Sequence, residues 1–136
     1  MKPFWTLARR YRFSAAHTLR SPGLSDEENR RLFGKCANPS GHGHDYLVDV
    51  MVTAASLDRD VVMDRGELDA LVKREIESRF AWMNVNETFG PGFLTSGENL
   101  ARAVWELLSP HMPPGRRLSI RLVETAKNSF VYRGPA

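Results

Sequence analysis

His42-Gly43-His44-Asp45-Tyr46-Leu47-Val48-Asp49-Val50-Met51-Val52 decides how this chain folds. His42, His44, Tyr46, Val48, Val50 and Val52 fall on one face, with Asp45 and Asp49 on the other, which is the alternation of a half-buried strand. The run Gly34-Lys35-Cys36-Ala37-Asn38-Pro39-Ser40-Gly41 turns the chain directly into it. Side chains two apart on a strand share a face at roughly 6.6–6.8 Å, so the two imidazoles can converge on one metal ion without strain. Upstream, Trp5, Leu7, Tyr11 and Phe13 alternate with Thr6, Arg10 and Arg12. This predicts a first strand from about Pro3 to Ala16, and its apolar face runs on to His17.

His17, His42 and His44 are therefore the expected metal ligands. Three neutral imidazoles with an open fourth position describe a catalytic zinc site better than a structural one. His111 lies in a proline-rich connection and is set aside as an ordinary polar residue. Cys36, the only cysteine, stands in the loop that delivers the ligands, next to Lys35. A small core residue is one reading; a thiol whose pKa is lowered by a nearby cation and metal, and so serves as base or nucleophile, is the other. Glu124 occupies a position where the alternation calls for another Leu or Ile. It lies either at the wet end of the sheet or against a ligand whose donors offset the cost of burying a carboxylate.

The remaining pattern supplies the other elements. Arg20 to Arg31 reads as a loop with a short helix around Ser25 to Leu32. Leu57 to Asp60 reads as a turn, with Val61-Val62-Met63 extended behind it. Asp64-Arg65-Gly66-Glu67 has the residues of a capping box, and Leu68, Leu71, Val72, Ile76, Phe80 and Met83 recur at helical spacing. Asn84-Val85-Asn86 reads as the turn that ends this helix. Thr95-Ser96-Gly97-Glu98 is a second capping box, with Leu100, Val104, Leu107 and Leu108 behind it. Pro110 and Pro113-Pro114-Gly115 stop that helix. Leu118, Ile120, Leu122 and Glu124 predict a third strand, and Phe130 and Tyr132 a fourth, joined near Ala126-Lys127-Asn128. The order is ββααββ: an α+β domain with a four-stranded, mostly antiparallel sheet and two helices on one face. The other face and the sheet edges then need partners, which predicts a symmetric oligomer.

A chain of 136 residues, 42% hydrophobic and 26% charged, is expected to form a single domain over 1–136. The net charge of +3 comes from scattered arginines with no aromatic-interleaved basic stripe. Nucleic acid is not expected; a small anionic substrate is, with Arg9, Lys35 and Lys127 as cations for a phosphate tail. One cysteine fits a reducing compartment, and no apolar run reaches membrane-spanning length. The expected location is cytoplasmic.

Taken together, these residues resemble the 6-pyruvoyl and 6-carboxy tetrahydropterin synthases of the T-fold superfamily. The likeness runs through Phe13-Ser14-Ala15-Ala16-His17, Leu32-Phe33-Gly34-Lys35-Cys36, His42-Gly43-His44, Val61-Val62-Met63-Asp64, Glu98-Asn99-Leu100-Ala101, Val123-Glu124-Thr125 and Val131-Tyr132-Arg133-Gly134. The long loop from cysteine to histidines resembles the pyruvoyl enzymes more than the carboxy ones. The resemblance implies a zinc-dependent carbon–oxygen lyase acting on a reduced pterin such as 7,8-dihydroneopterin triphosphate. It implies His17, His42 and His44 as zinc ligands, Cys36 as the proton-abstracting base, and Glu124 as anchor of the pterin's pyrimidine edge. It also implies trimers closed into a barrel and stacked as a homo-hexamer. Family members carry an Asp-His relay where this chain has Ala81-Trp82, which implies altered activity or specificity. The threonine common before the Glu-Asn pair is replaced by Ser96-Gly97. Ser96 and Trp82 are accordingly expected to touch substrate. A non-catalytic pterin- or purine-binding protein and a 6-carboxytetrahydropterin synthase-type enzyme are the alternatives.

Overall fold

The computed structural model describes residues 4–136, so the predicted start of the first strand at Pro3 lies outside the described residues. β1 (Trp5–His17) and β2 (His42–Ala54) pair antiparallel along their whole length, from Trp5 opposite Ala54 to His17 opposite His42. β3 (Arg116–Val123) pairs antiparallel with β2, and β4 (Ser129–Tyr132) with β3, giving the order β1-β2-β3-β4. The sheet and its register agree with the alternation in the sequence.

Between the first two strands, α1 (Asp26–Phe33) starts at a complete capping box between Ser25 and Glu28, and a single 3₁₀ turn (Gly34–Ala37) carries Cys36. α2 (Arg65–Val72) continues through a π turn (Lys73–Glu77) into the short α3 (Ser78–Phe80). The π turn has a cause in the sequence. Leu68, Val72, Ile76 and Phe80 are spaced by four, and each such step drifts by about 40° on a regular α-helix. One wider turn absorbs the drift, so all four side chains stay buried. Met83 does not belong to this stripe: the helix ends at Phe80 and Met83 is exposed. Asn84-Val85-Asn86 is not merely a closing turn either. Asn84 caps a further short helix, α4 (Val85–Phe89), by accepting from the Asn86 N–H.

α5 (Gly97–Leu108) is capped by Ser96, which accepts from the Asn99 N–H. The expected Thr95–Glu98 box is therefore shifted by one residue, and Thr95 is released for another task. At Asp64 only half of the expected box forms: its side chain accepts from the Glu67 N–H, with no return bond from Glu67. Gly97 opens α5 beneath the Phe130 ring of β4, where a Cβ would lie 2.0 Å from Cε2.

The helices cover one sheet face. Phe13, Tyr46, Val48, Val50, Val52, Leu118, Ile120 and Leu122 pack there against Leu68, Leu71, Ile76, Phe80, Leu100, Val104 and Leu108. Phe13 stacks on Tyr46 at 5.2 Å and on Phe80 at 5.9 Å between ring centroids. Arg9 and Tyr11 of β1 both bond the Asp69 carboxylate of α2, tying sheet to helix. Arg9 is thus committed to an ion pair and is not the free cation expected for a phosphate tail. The opposite sheet face is polar, with Arg10 paired to Asp49 and Arg12 to Asp45. No helix among the described residues is long and apolar enough to cross a membrane.

Candidate active site

The antiparallel register of β1 and β2 builds the metal-ligating cluster. His17, the last residue of β1, faces His42, the first of β2, while His44 lies one side-chain repeat further along the same face. The three ring nitrogens meet: His42 Nε2 is 2.7 Å from His44 Nε2, which is 3.1 Å from His17 Nε2. Cys36 Sγ joins them at 3.4 Å from His42 Nε2 and 3.7 Å from His44 Nε2. All four ligand atoms lie within 4.8 Å of one another. The expected trio is assembled, and the cysteine with it; His111 instead approaches Glu75, outside the cluster.

His17 is fully buried, and its Nδ1 contacts the Thr95 carbonyl at 3.0 Å and the Thr95 hydroxyl at 3.1 Å. Donation of Nδ1–H to the carbonyl leaves the Nε2 lone pair facing the cluster, as a metal ligand requires. Asn86 holds the next residue by two bonds, accepting from the Thr18 N–H at 2.7 Å and donating to the Thr18 carbonyl at 2.8 Å. Thr95 and Asn86 are positioning residues that the sequence reading did not single out. A polar residue just before a helix cap looks like part of the cap, and an Asn in a turn looks like turn chemistry. The loop bearing Cys36 is fastened to the same strand end, because the Leu19 N–H donates to the Cys36 carbonyl at 2.6 Å.

Electrostatics favour ligation. Burial, then the charges of His44 and His42, lower the His17 pKa to about 4, and burial also lowers those of His42 and His44. All three rings are neutral at neutral pH, which is the metal-binding form. His42 Nδ1 makes no bond that meets hydrogen-bond geometry, although the Lys35 carbonyl acts on the ring. The Cys36 thiol moves the other way: burial, then the Glu124 charge, push it up to about 11. Lys35 alone does not bring it down, so only a cation seated in the cluster would favour the thiolate. Three imidazole nitrogens beside a soft thiol suit a borderline-soft divalent ion. The ring nitrogens sit slightly closer than the roughly 3.3 Å that tetrahedral ligation at about 2.0–2.1 Å demands, a difference that small ring rotations remove.

Glu124 is buried just past the end of β3, and its carboxyl pKa is raised by burial and then by the charge of Glu98. Leu47 pairs with Val123, so Glu124 follows on beside Tyr46, on the sheet face that carries His42 and His44. Glu98 does not act as a cap here: Ser96 caps α5, and Glu98 is exposed in its first turn. Trp82 is outside the four-residue cluster but is 86% exposed with φ of 60°, and it borders an open hollow together with Arg12, Ser14, Ala16, Gly43 and the candidate ligand His44. Its backbone is held to β1, where the Trp82 N–H donates to the Ser14 carbonyl at 2.6 Å.

The fold and cluster define a class: an α+β protein whose antiparallel sheet ends in a group of three histidines and one cysteine that could hold a metal ion, with the buried carboxyl of Glu124 on the same side. The 6-pyruvoyl tetrahydropterin synthase family matches residues 6–135, so the chain belongs to that family, a family of lyases. It is 36% identical over 132 residues to the 6-pyruvoyl tetrahydrobiopterin synthase of Homo sapiens, covering 94% of this chain and 90% of that one. It is 36% identical to that of Drosophila melanogaster, over 98% of this chain and 82% of the other. The solved 6-pyruvoyl tetrahydropterin synthase of Caenorhabditis elegans superposes with a TM-score of 0.86 at 33% identity, covering 98% and 97% of the two chains.

Proposed function

We propose that this chain is a single-domain, zinc-dependent lyase of the 6-pyruvoyl tetrahydropterin synthase type, acting on 7,8-dihydroneopterin triphosphate or a related dihydropterin. Its activity or specificity is altered by Ala81-Trp82 in place of the Asp-His relay. The convergence of His17, His42 and His44 Nε2 with Cys36 Sγ within 4.8 Å carries this reading. Bound by the three histidines, zinc would supply Lewis acidity toward side-chain oxygens of the substrate, making the neighbouring C–H more acidic. Thr95 and Asn86 hold His17 in place for that. Cys36 as thiolate takes the carbon-bound proton. The electron pair left behind forms a carbon–carbon double bond as the C–O bond to triphosphate breaks, and the enol then returns to a ketone. Glu124 accepts hydrogen bonds from the ring N–H and amino group of the pterin, and Ser96 lies at the start of α5.

Without the relay, reprotonation lacks a partner worth roughly 10²–10⁴-fold in rate. That gap, together with the raised Cys36 thiol, favours one second reading, a protein that binds a pterin without converting it. Trp82 projects outward, where a neighbouring subunit's site would receive it in a cytoplasmic homo-hexamer closed by barrel formation. The test is metal analysis of purified protein followed by incubation with 7,8-dihydroneopterin, its triphosphate and sepiapterin, with products separated by chromatography. Stoichiometric zinc with turnover of at least one substrate is expected. Tight binding without conversion establishes the second reading, and absence of both overturns the assignment.

A further inference from the structure

The end of the sheet far from the histidines carries a second concentration of charge. Arg116 and Arg117 open β3, Arg133 follows β4, and all three line one open cleft of about 470 Å³. The rest of its lining is neutral, with Trp105, Met112 and Leu118 giving apolar surface, and no carboxylate among the described residues borders it. Arg116 lies opposite Ala54, at the other end of β2 from His42. The length of that strand separates the two places, roughly 40 Å at about 3.3 Å per residue. A small molecule in this cleft therefore touches none of the metal ligands.

Two contacts set the cations in place. The Arg116 Nε–H donates to the Val62 carbonyl at 2.7 Å, which fixes its guanidinium while the Nη groups make no bond among the described residues. Gly134, at φ of 89°, passes so close to the Trp105 indole that a Cβ would sit 2.6 Å from Cζ2. The indole N–H is in turn tied to the Leu118 carbonyl at 2.8 Å, so the backbone that carries Arg133 is held beside β3. Arg9, Arg10 and Arg12 of β1 all form ion pairs, whereas among the described residues Arg116, Arg117 and Arg133 form none. Like charges gathered in one concave place repel each other, and a bound anion relieves that repulsion.

We propose that this cleft binds an oligophosphate anion, either free or as the tail of a nucleotide. The site is separate from the metal cluster and does not rest on the pterin-lyase reading. Guanidinium forks match phosphate oxygens two at a time, and the cleft has the size of a small-molecule site. One phosphate group carries only about −1.5 to −2 at neutral pH, so three arginines call for more than one such group.

The test is titration calorimetry of the purified protein with inorganic triphosphate and with ATP in about 0.15 M salt, where exposed charges are screened beyond about 8 Å. Wild type is compared with Arg117→Ala/Arg133→Ala and with Arg30→Ala/Arg31→Ala, which removes the same charge from exposed positions of α1. The first variant is expected to lose affinity for triphosphate at least about tenfold, and the second to stay within about twofold of wild type. Arg133→Lys, which keeps the charge and loses the fork, should fall in between. Triphosphate should also raise the melting temperature of wild type and not that of Arg117→Ala/Arg133→Ala. Tighter binding of ATP than of triphosphate identifies a nucleotide, and equal binding a free anion; either supports the site. No binding by wild type, unchanged affinity in Arg117→Ala/Arg133→Ala, or an equal loss in the α1 variant overturns it. Anion binding at the metal cluster would survive both double variants.

Discussion

At residue scale, the proposed site separates holding a metal from moving a proton. His17, His42 and His44 are neutral imidazoles brought together by strand register, whereas Cys36 arrives on a separate turn fastened through its own carbonyl. Cys36→Ala should leave zinc content unchanged and abolish turnover of any substrate the wild type accepts. Metal analysis and product chromatography on one preparation check this, and loss of the metal instead would make Cys36 a ligand. Trp82 is a different kind of residue, bulky, exposed and held at positive φ. Histidine tolerates that backbone region better than tryptophan does. Trp82→His should therefore shift stability by no more than about 0.5 kcal/mol, whereas Ala81→Asp, at a residue packed against the core, costs more. The same pair should raise turnover of 7,8-dihydroneopterin triphosphate at least about tenfold, toward the contribution of a placed acid–base group. Unchanged turnover would show that the missing relay is not what limits this chain.

At the scale of elements, β1 is held to α2 by one carboxylate. Asp69 accepts from Arg9 and Tyr11, and those bonds depress its pKa to about 2. A folded pKa below the unfolded value means the stabilisation is full above about pH 4 and is lost as pH falls toward 2. Urea midpoints of wild type and Asp69→Asn should therefore differ most above about pH 5, narrow as pH falls, and converge only below about pH 2. A constant difference would deny the ion pair its role. The strands and their register were legible in the sequence, because alternation fixes which side chains share a face, and that alone brought the three histidines together. What escaped was whatever depends on a one-residue choice or on distant partners. Ser96, not Thr95, caps α5, which frees Thr95 to reach His17, 78 positions away in sequence. The π turn was hidden because a spacing of four looks helical over any single step.

At the scale of the whole molecule, the sheet ends in β1 on one side and β4 on the other, and its polar face carries paired charges. Long edges such as β1 are normally covered, and closure of several copies edge to edge would cover both. Native mass spectrometry of the zinc-loaded protein should show a hexamer. Removing zinc with a chelator should lower its melting temperature, and adding zinc back should restore it, as expected for an ion that binds the folded state alone. A monomer at micromolar concentration would refute the assembly. The meeting of Gly97 and Phe130, finally, ties the start of α5 to the last strand. A Cβ at 97 would collide with that ring, so any larger residue there forces Phe130 out of its place, and a replaced helix start will seat well only if position 130 is made smaller along with it.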